Sequence, residues 1–503
     1  MKYIVNAREM KNCDLNTIEK VGMNSEVLME RAALSVVAEI EKHGLLSGKI
    51  MIFCGFGNNG GDGLAIARLL YLKNYEVEVV CVGDSSKATK EVLHQLQLLQ
   101  HYNVAIVDFN PNMSANQCDL LIDAVLGNGI SRNVEGIFLQ AVQMMNQMTC
   151  KKIAVDIPTG VDSDHGQIMG CAVKCDLTIT FAYKKVGICL YPGAHYAGKV
   201  VVADIGMPED SFFMQFPAVR EITIDDLKLI PERKPYSNKG TYGKLLVIAG
   251  SEMMSGAAFL AAKAAFISGC GMVKILTHER QRQVLSVLLP EAIIETYEEV
   301  IDEEQFLFHL GWADCVLIGP GIGTNSLSQE MIELVCSQCS VPLVIDADAL
   351  NLVAQDVSIL KQISCETIIT PHVVEMSRLC EENVEYIKNH LIEVAQEFSK
   401  EYNIICILKD ARSMISVPYG PVYINMTGNS GMSTAGAGDV LAGYVAGLGT
   451  QGMRMEDAAA VGAFLHGKAG DHAAKQIGEY SMMASDLLTY LRTVHSPEER
   501  NKR

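Results

Sequence analysis

A chain of 503 residues exceeds one ordinary domain, and its 49% hydrophobic and 20% charged residues describe a globular protein rather than a disordered one. The net charge of −18, with no cluster of lysines and arginines, argues against nucleic acid as a partner but leaves a nucleotide compatible, because glycine loops hold phosphate through backbone dipoles. The N-terminal stretch MKYIVNAREMKNCDL lacks the apolar core of a signal peptide, and no apolar run reaches transmembrane length.

The fifteen cysteines are scattered, many in apolar strand-like runs (Cys54, Cys81, Cys315, Cys406). That pattern predicts reduced thiols and a cytoplasmic protein with no membrane partner. Cys336 and Cys339 form a lone CxxC, which without a second pair or a redox context reads as incidental.

In chain order, residues 7–43 place apolar side chains (Met10, Leu15, Ile18, Val21, then Val27 to Ile40) at spacings of three and four, predicting helix. Residues 49–54 form a buried-strand pattern. It runs into a glycine loop at 55–63 and then an amphipathic helix, the layout of a Rossmann-like first crossover. Strands are expected at 76–82, 104–107, 119–123, 152–156, 178–181 and 200–203, with helices at 85–101 and 134–148. This alternation predicts a parallel sheet covered by helices on both faces. Ligands of such sheets bind at the carboxyl ends of the strands, where three polar loops fall: 55–63, 123–133 and 156–162.

The pattern fades near 208–222, and the polar stretch PERKPYSNKGTYGK follows, so domains are expected over 1–215 and 223–497. The second half again alternates. Strands at 244–249, 273–276, 316–318, 343–345, 367–369 and 404–408 end in polar or glycine-rich loops, and an alanine-rich helix covers 256–271. A hairpin is expected at 414–416 and 422–425. Then comes GNSGMSTAGAGD at 428–439, four glycines in twelve residues followed by small and apolar residues at helical spacing. A loop opening a helix aims several N–H groups at one spot, which makes an anion site. Asp439 beside it suits a base that removes a hydroxyl proton while the N–H groups hold a phosphate. The same residues also suit an ordinary glycine-rich turn with Asp439 as a helix cap.

Taken together these motifs are specific. EMKNCD at 9–14, LMERAA at 28–33, CGFGNNGGDGLAIAR at 54–68, DAVLGNGISR at 123–132 and DIPTGVDSDHG at 156–166 resemble the NAD(P)H-hydrate epimerase family. NKGTYG at 238–243, GSEMMSGAA at 250–258, IGPGIG at 318–323, DADALN at 346–351, TPHVVEMSRL at 370–379 and GNSGMSTAGAGDVLAG at 428–443 resemble the NAD(P)H-hydrate dehydratase family, a branch of the ribokinase-like fold. The expected architecture is therefore α/β throughout, a Rossmann-like three-layer domain followed by a ribokinase-like one.

The resemblance implies a bifunctional lyase and isomerase acting in nicotinamide-nucleotide repair. The first domain would interconvert the R and S hydrates of NADH or NADPH. The second would use ADP with Mg²⁺ to phosphorylate the hydroxyl of the S form, and loss of phosphate would restore the dihydronicotinamide. By family position, the N–H groups of Asn58, Asn59, Gly60, Gly61 and Asp62 hold the hydrate's phosphates. Gly127, Asn128, Gly129, Ile130, Ser131, Arg132 and Asn133 line the substrate, and Asp156 is the proton-transfer residue. Asn59, Asp123 and Thr159 match the family's potassium (K⁺) site, an oxygen donor set suited to a hard cation.

In the second domain Asp439 takes the hydroxyl proton. Ala257, Gly323 and His372 contact the hydrate, while Lys409, Asp410, Ala411, Arg412, Ser413 and Gly438 lie against the AMP moiety. Departures from the pattern are Asp410 where the family has glycine, Val373–Val374 after the TPH motif, and Thr159 for a common serine. Partners would be the small molecules alone, with a homo-oligomer expected. Two other readings stay open on the sequence: a plain hydroxyl kinase, and a nucleotide-binding protein with an inactive N-terminal half.

Overall fold

The structure, a computed structural model, describes residues 1–113 and 118–495; the expected end of the second domain at 497 lies outside the described residues. The chain forms two compact units, one over Tyr3–Val219 and one from Arg220 onward that also takes in Met1–Lys2.

The first unit is built on seven parallel strands. Their spatial order is Ala105–Asp108, Glu76–Cys81, Lys49–Cys54, Leu120–Ala124, Lys151–Val155, Leu177–Phe181 and Lys199–Ala203. The chain starts at Lys49–Cys54, steps outward twice, then returns to the other side of that strand at Leu120–Ala124. The loops leaving these two neighbours diverge, and the gap between them is where such a sheet admits a ligand. Alternation along the strands feeds two cores. Ile50, Ile52 and Ile122 pack on one face with Val36, Val37 and Leu64; Met51, Phe53 and Leu121 pack on the other with Val142 and Met145.

The helix predicted over 7–43 is instead two helices, Ala7–Asn16 and Ser25–Lys42, joined by a widened turn at Thr17–Val21. Gly22 takes φ 86° and Asn24 caps the second helix, so the local turn chemistry outweighs the continuous apolar spacing. The glycine loop at 55–63 is shorter than expected, because the helix Asn58–Leu72 already includes Gly60, Gly61 and Gly63. Close packing makes those glycines necessary: a Cβ on Gly60 would lie 1.9 Å from the Gly55 carbonyl oxygen.

The second unit carries Ile293–Tyr297, Met272–His278, Lys244–Ile248, Cys315–Ile318, Leu343–Ile345, Thr367–Ile369 and Ile405–Leu408 in parallel. An antiparallel hairpin, Met414–Ser416 with Val422–Ile424, extends that sheet. Ile293–Tyr297 is absent from the predicted strands because IIETY carries too little apolar/polar alternation to stand out. The helix Ala437–Gly449 packs closely on Ser255–Ser268 across small residues: Cβ atoms on Gly443 and Gly447 would lie 2.0 Å from Ala261 O and 2.3 Å from Ser268 Oγ. All fifteen cysteines are free, and among the described residues no helix is long and apolar enough to cross a membrane.

Candidate active site

In the first unit a cavity of 1270 Å³ opens at the carboxyl ends of the strands. Its lining includes Asn58, Asn59, Asp62, Asp156 and the whole run Gly127–Asn133, brought together by the divergence of the loops after Cys54 and Ala124. Gly60 and Gly61 lie beneath, buried in the first turns of the helix that Gly57 caps. The first-turn N–H groups of a helix have no carbonyl one turn back, so this end is an anion cradle.

Asp123, fully buried at the end of its strand, receives the Thr159 N–H at 2.8 Å and the Thr159 hydroxyl at 2.6 Å. Burial pushes its carboxyl up to about 6, against the hydrogen bonds from Thr159 and Val125. The Thr159 hydroxyl in turn accepts from Leu126 N–H at 3.0 Å, and the Asn59 amide donates to the Leu126 carbonyl at 3.2 Å. Asn59 Oδ1 is buried with no partner. The Asp123 carboxylate, the Thr159 hydroxyl and the Leu126 carbonyl thus form one cluster with the Asn59 amide beside it, and oxygen donors of this kind fit a hard monovalent cation.

Asp156 follows the next strand with φ 66°, in the left-handed region, held there by its side chain. Oδ1 accepts from Phe181 N–H at 3.1 Å, from the Thr180 hydroxyl at 3.0 Å and from the Lys185 ammonium. Lys185 is 1% exposed and also donates to the Thr180 hydroxyl at 3.0 Å and the Phe181 carbonyl at 3.1 Å. Its strand position is fixed by parallel pairing with Val5.

Asp14 and Asp62 share this cavity. Burial, with Asp156 adding to it and Lys185 opposing, pushes Asp14 up to about 6 and Asp62 well above the usual carboxylate range. Neither Lys185 nor Asp14 is among the residues expected from the sequence. Asp14 lies in the EMKNCD motif, whereas Lys185 is one of two adjacent lysines with no local signal.

In the second unit the helix Ala437–Gly449 starts at Gly436 (φ 89°), and Asp439 is its third residue. Burial pushes the Asp439 carboxyl up to about 7, with Asp346 adding to the push and Lys409 opposing it. Lys409 ends its strand and donates to Asp346 Oδ1 at 2.8 Å, where the Thr370 hydroxyl also donates at 2.6 Å; Asp346 Oδ2 is buried without a partner. A Cβ on Gly438 would lie 3.2 Å from Lys409 Nζ, so the ammonium sits over the first turn of the Asp439 helix.

His372 caps the helix Val373–Cys380: its Nδ1 accepts the N–H groups of Val374 at 3.0 Å and Glu375 at 3.1 Å. That fixes the proton on Nε2, and burial together with the Lys409 charge holds the ring's pKa down. Gly323 donates its N–H to Asp348 Oδ2 at 3.0 Å, and Ala257 lies beside Gly321. Asp410 and Ala411 are exposed, while Arg412 donates to the Met426 carbonyl at 2.9 Å and Ser413 O receives Asn425 N–H at 2.9 Å. Asp346 and Glu375, absent from the predicted site, stand inside two motifs that the sequence singles out (DADALN and TPHVVE).

The segment entering the glycine loop is moored on the helix Met455–Ile477. Asn425 and Thr427 donate to the carbonyls of Ala463 and Phe464, and Asp471 accepts from Gly428 N–H and the Asn429 amide, both at 3.2 Å.

Comparison with known proteins agrees with this division. The family model for NAD(P)H-hydrate dehydratase matches residues 245–493, and that for the YjeF-related protein N-terminus matches residues 25–187. The chain is 35% identical to the bifunctional NAD(P)H-hydrate repair enzyme of Moorella thermoacetica, over 97% of this chain and 96% of that protein. It is 30% identical to the enzyme of the same name from Coxiella burnetii, over 99% of this chain and 100% of that one. Among solved structures, a ribokinase-like superfamily protein from Enterococcus faecalis V583 is 26% identical with a TM-score of 0.51, covering 57% of this chain and 98% of its own. The first unit is Rossmann-like and the second ribokinase-like, and the chain belongs to the family of bifunctional NAD(P)H-hydrate repair enzymes.

Proposed function

We propose that this chain repairs hydrated nicotinamide nucleotides with two active sites. The first unit epimerises the R and S hydrates of NADH and NADPH. The second dehydrates the S hydrate at the expense of ADP. The observation that carries the reading is Asp439: a carboxyl held at about 7 in the first turn of a glycine-opened helix, beside the Lys409 ammonium.

In the second unit Asp439 accepts the proton of the hydrate hydroxyl as its oxygen attacks the β-phosphorus of ADP. The first-turn N–H groups and Lys409 stabilise the charge that builds on the transferred phosphoryl group. AMP leaves; expulsion of phosphate and loss of the neighbouring carbon's proton restore the double bond. Mg²⁺ enters with the nucleotide. Lys409 to Ser413 and Gly438 line the nucleotide side; Ala257, Gly323 and the Nε2–H of His372 face the hydrate.

In the first unit the helix end at Asn58 to Asp62 holds the phosphates, and Gly127 to Asn133 line the remainder. Asp156 moves the proton, with the buried Lys185 side chain donating to its carboxylate and fixing its position. Potassium would be held by Asn59, Asp123 and Thr159 and the Leu126 carbonyl, where it supplies positive charge near the bound hydrate. The free thiols support a cytoplasmic setting, and the exposed apolar side chains Val27 and Leu34 on the helix Ser25–Lys42 support a homo-oligomer.

The test is recovery of dihydronicotinamide absorbance from mixed R and S NADH hydrate with ADP, Mg²⁺ and K⁺. Wild type recovers both epimers, Asp439→Ala recovers none, and Asp156→Ala recovers S faster than R. No recovery with ADP or ATP would overturn the reading, and a stable phosphorylated product would assign a hydroxyl kinase instead.

A further inference from the structure

Away from the candidate site, the first unit holds two cysteine side chains in contact. In the first unit the Cys118 thiol donates to Cys150 Sγ at 3.3 Å. Cys118 lies just ahead of Leu120–Ala124 and Cys150 directly before Lys151–Val155, neighbouring parallel strands in register Leu120↔Lys151.

The carboxyl ends of these two strands lead to Asp123 and Asp156. Neighbouring strands run about 4.8 Å apart, Cys118 and Cys150 are one residue out of register, and a disulfide spans Cα atoms about 4.4–6.8 Å apart, so this pair can close without parting its strands.

We propose that Cys118–Cys150 is an oxidation site at which a hydroperoxide converts a thiol pair into a disulfide. Cys150 accepts the Cys118 proton in its hydrogen bond, and burial pushes Cys118 up to about 12, so Cys150 attacks and Cys118 resolves. The attacking thiolate forms an S–O bond as the O–O bond breaks, giving a sulfenic acid and one water. The partner sulfur then displaces the sulfenic oxygen as a second water, carrying off its own proton. The pair loses two electrons and hydrogen peroxide is reduced to two waters. Cys54, Cys315 and Cys406 are buried with their thiols pushed up, and they stay inert.

The reduced full chain is treated with hydrogen peroxide, denatured in N-ethylmaleimide and digested without reductant. A peptide linking Cys118 to Cys150, lost on adding dithiothreitol, is the expected product, with Cys54, Cys315 and Cys406 recovered as maleimide adducts. Recovery of Cys118 and Cys150 as adducts overturns the site. In Cys118→Ser, dimedone labels Cys150; no label there overturns the assigned attack.

Discussion

Lys409 Nζ lies 2.8 Å from Asp346 Oδ1, while the other oxygen of that buried carboxylate has no partner. A buried pair with a spare lone pair is arranged to receive something, and the glycine-opened helix next to it presents N–H groups. Removing the ammonium alone, as in Lys409→Met, leaves Asp346 uncompensated, a loss of about 3–5 kcal/mol. Chemical denaturation should show that loss. Hydrate turnover with ADP should fall while epimerisation, housed in the other unit, persists.

As the proposed base, Asp439 should set the acid limb of the dehydratase. Its carboxyl, pushed up to about 7, must be ionised to act as base, so kcat/KM should fall tenfold per pH unit below that value. The linkage has the opposite sign for stability. The folded state binds the proton more tightly than the unfolded chain, so this group's contribution falls as pH rises from about 4 toward 7. Asp439→Asn should therefore lose about 10²–10⁴-fold in rate and raise the Tm at pH 8. A lowered Tm there would count against the assigned shift.

Asp156→Asn and Lys185→Met should each slow epimerisation by about 10²–10⁴-fold. Both should leave dehydration of pure S hydrate unchanged. Following R hydrate consumption by chromatography separates the two activities, and equal loss in both would refute the division of labour.

Thr159→Val keeps the shape but removes the hydroxyl between Asp123 and the Leu126 N–H. Leaving those buried groups unpaired costs about 1–3 kcal/mol. Potassium chloride should raise the Tm of wild type above that in sodium chloride, and the variant should lose this difference.

Gly443→Ala tests the seam beneath the second site. The added Cβ would meet the Ala261 carbonyl at 2.0 Å and force the helices Ser255–Ser268 and Ala437–Gly449 apart. Overpacking of this kind costs about 1–3 kcal/mol, and because the second helix carries Asp439, the rate of hydrate dehydration should fall as well.

Residues announced by their neighbours are legible in the sequence. Asn59, Asp123, Thr159 and Asp156 stand where apolar strand patterns break into polar loops, and the parallel order brings three of these strand ends together. Lys185 is not legible in the same way. Its meaning arises from pairing with Val5 and from the Asp156 carboxylate, contacts far apart in sequence. Periodicity likewise runs through Gly22, where one left-handed residue ends a helix that the apolar spacing would continue. The polar helix Val384–Asn389 and the strand Ile293–Tyr297 carry too little alternation to stand out.

The left-handed backbone at Asp156 has an evolutionary consequence. A non-glycine residue there carries about 1–3 kcal/mol of strain, and glycine would relieve it. Yet Asp156→Gly alone strands the Lys185 ammonium in the interior, a loss of about 3–5 kcal/mol, so the first step away is downhill in fitness even for a protein no longer asked to catalyse. Only the double change Asp156→Gly with Lys185→Met escapes. The pair is thus guarded by sign epistasis, and a lineage that abandons epimerisation should retain both residues long after the activity has gone.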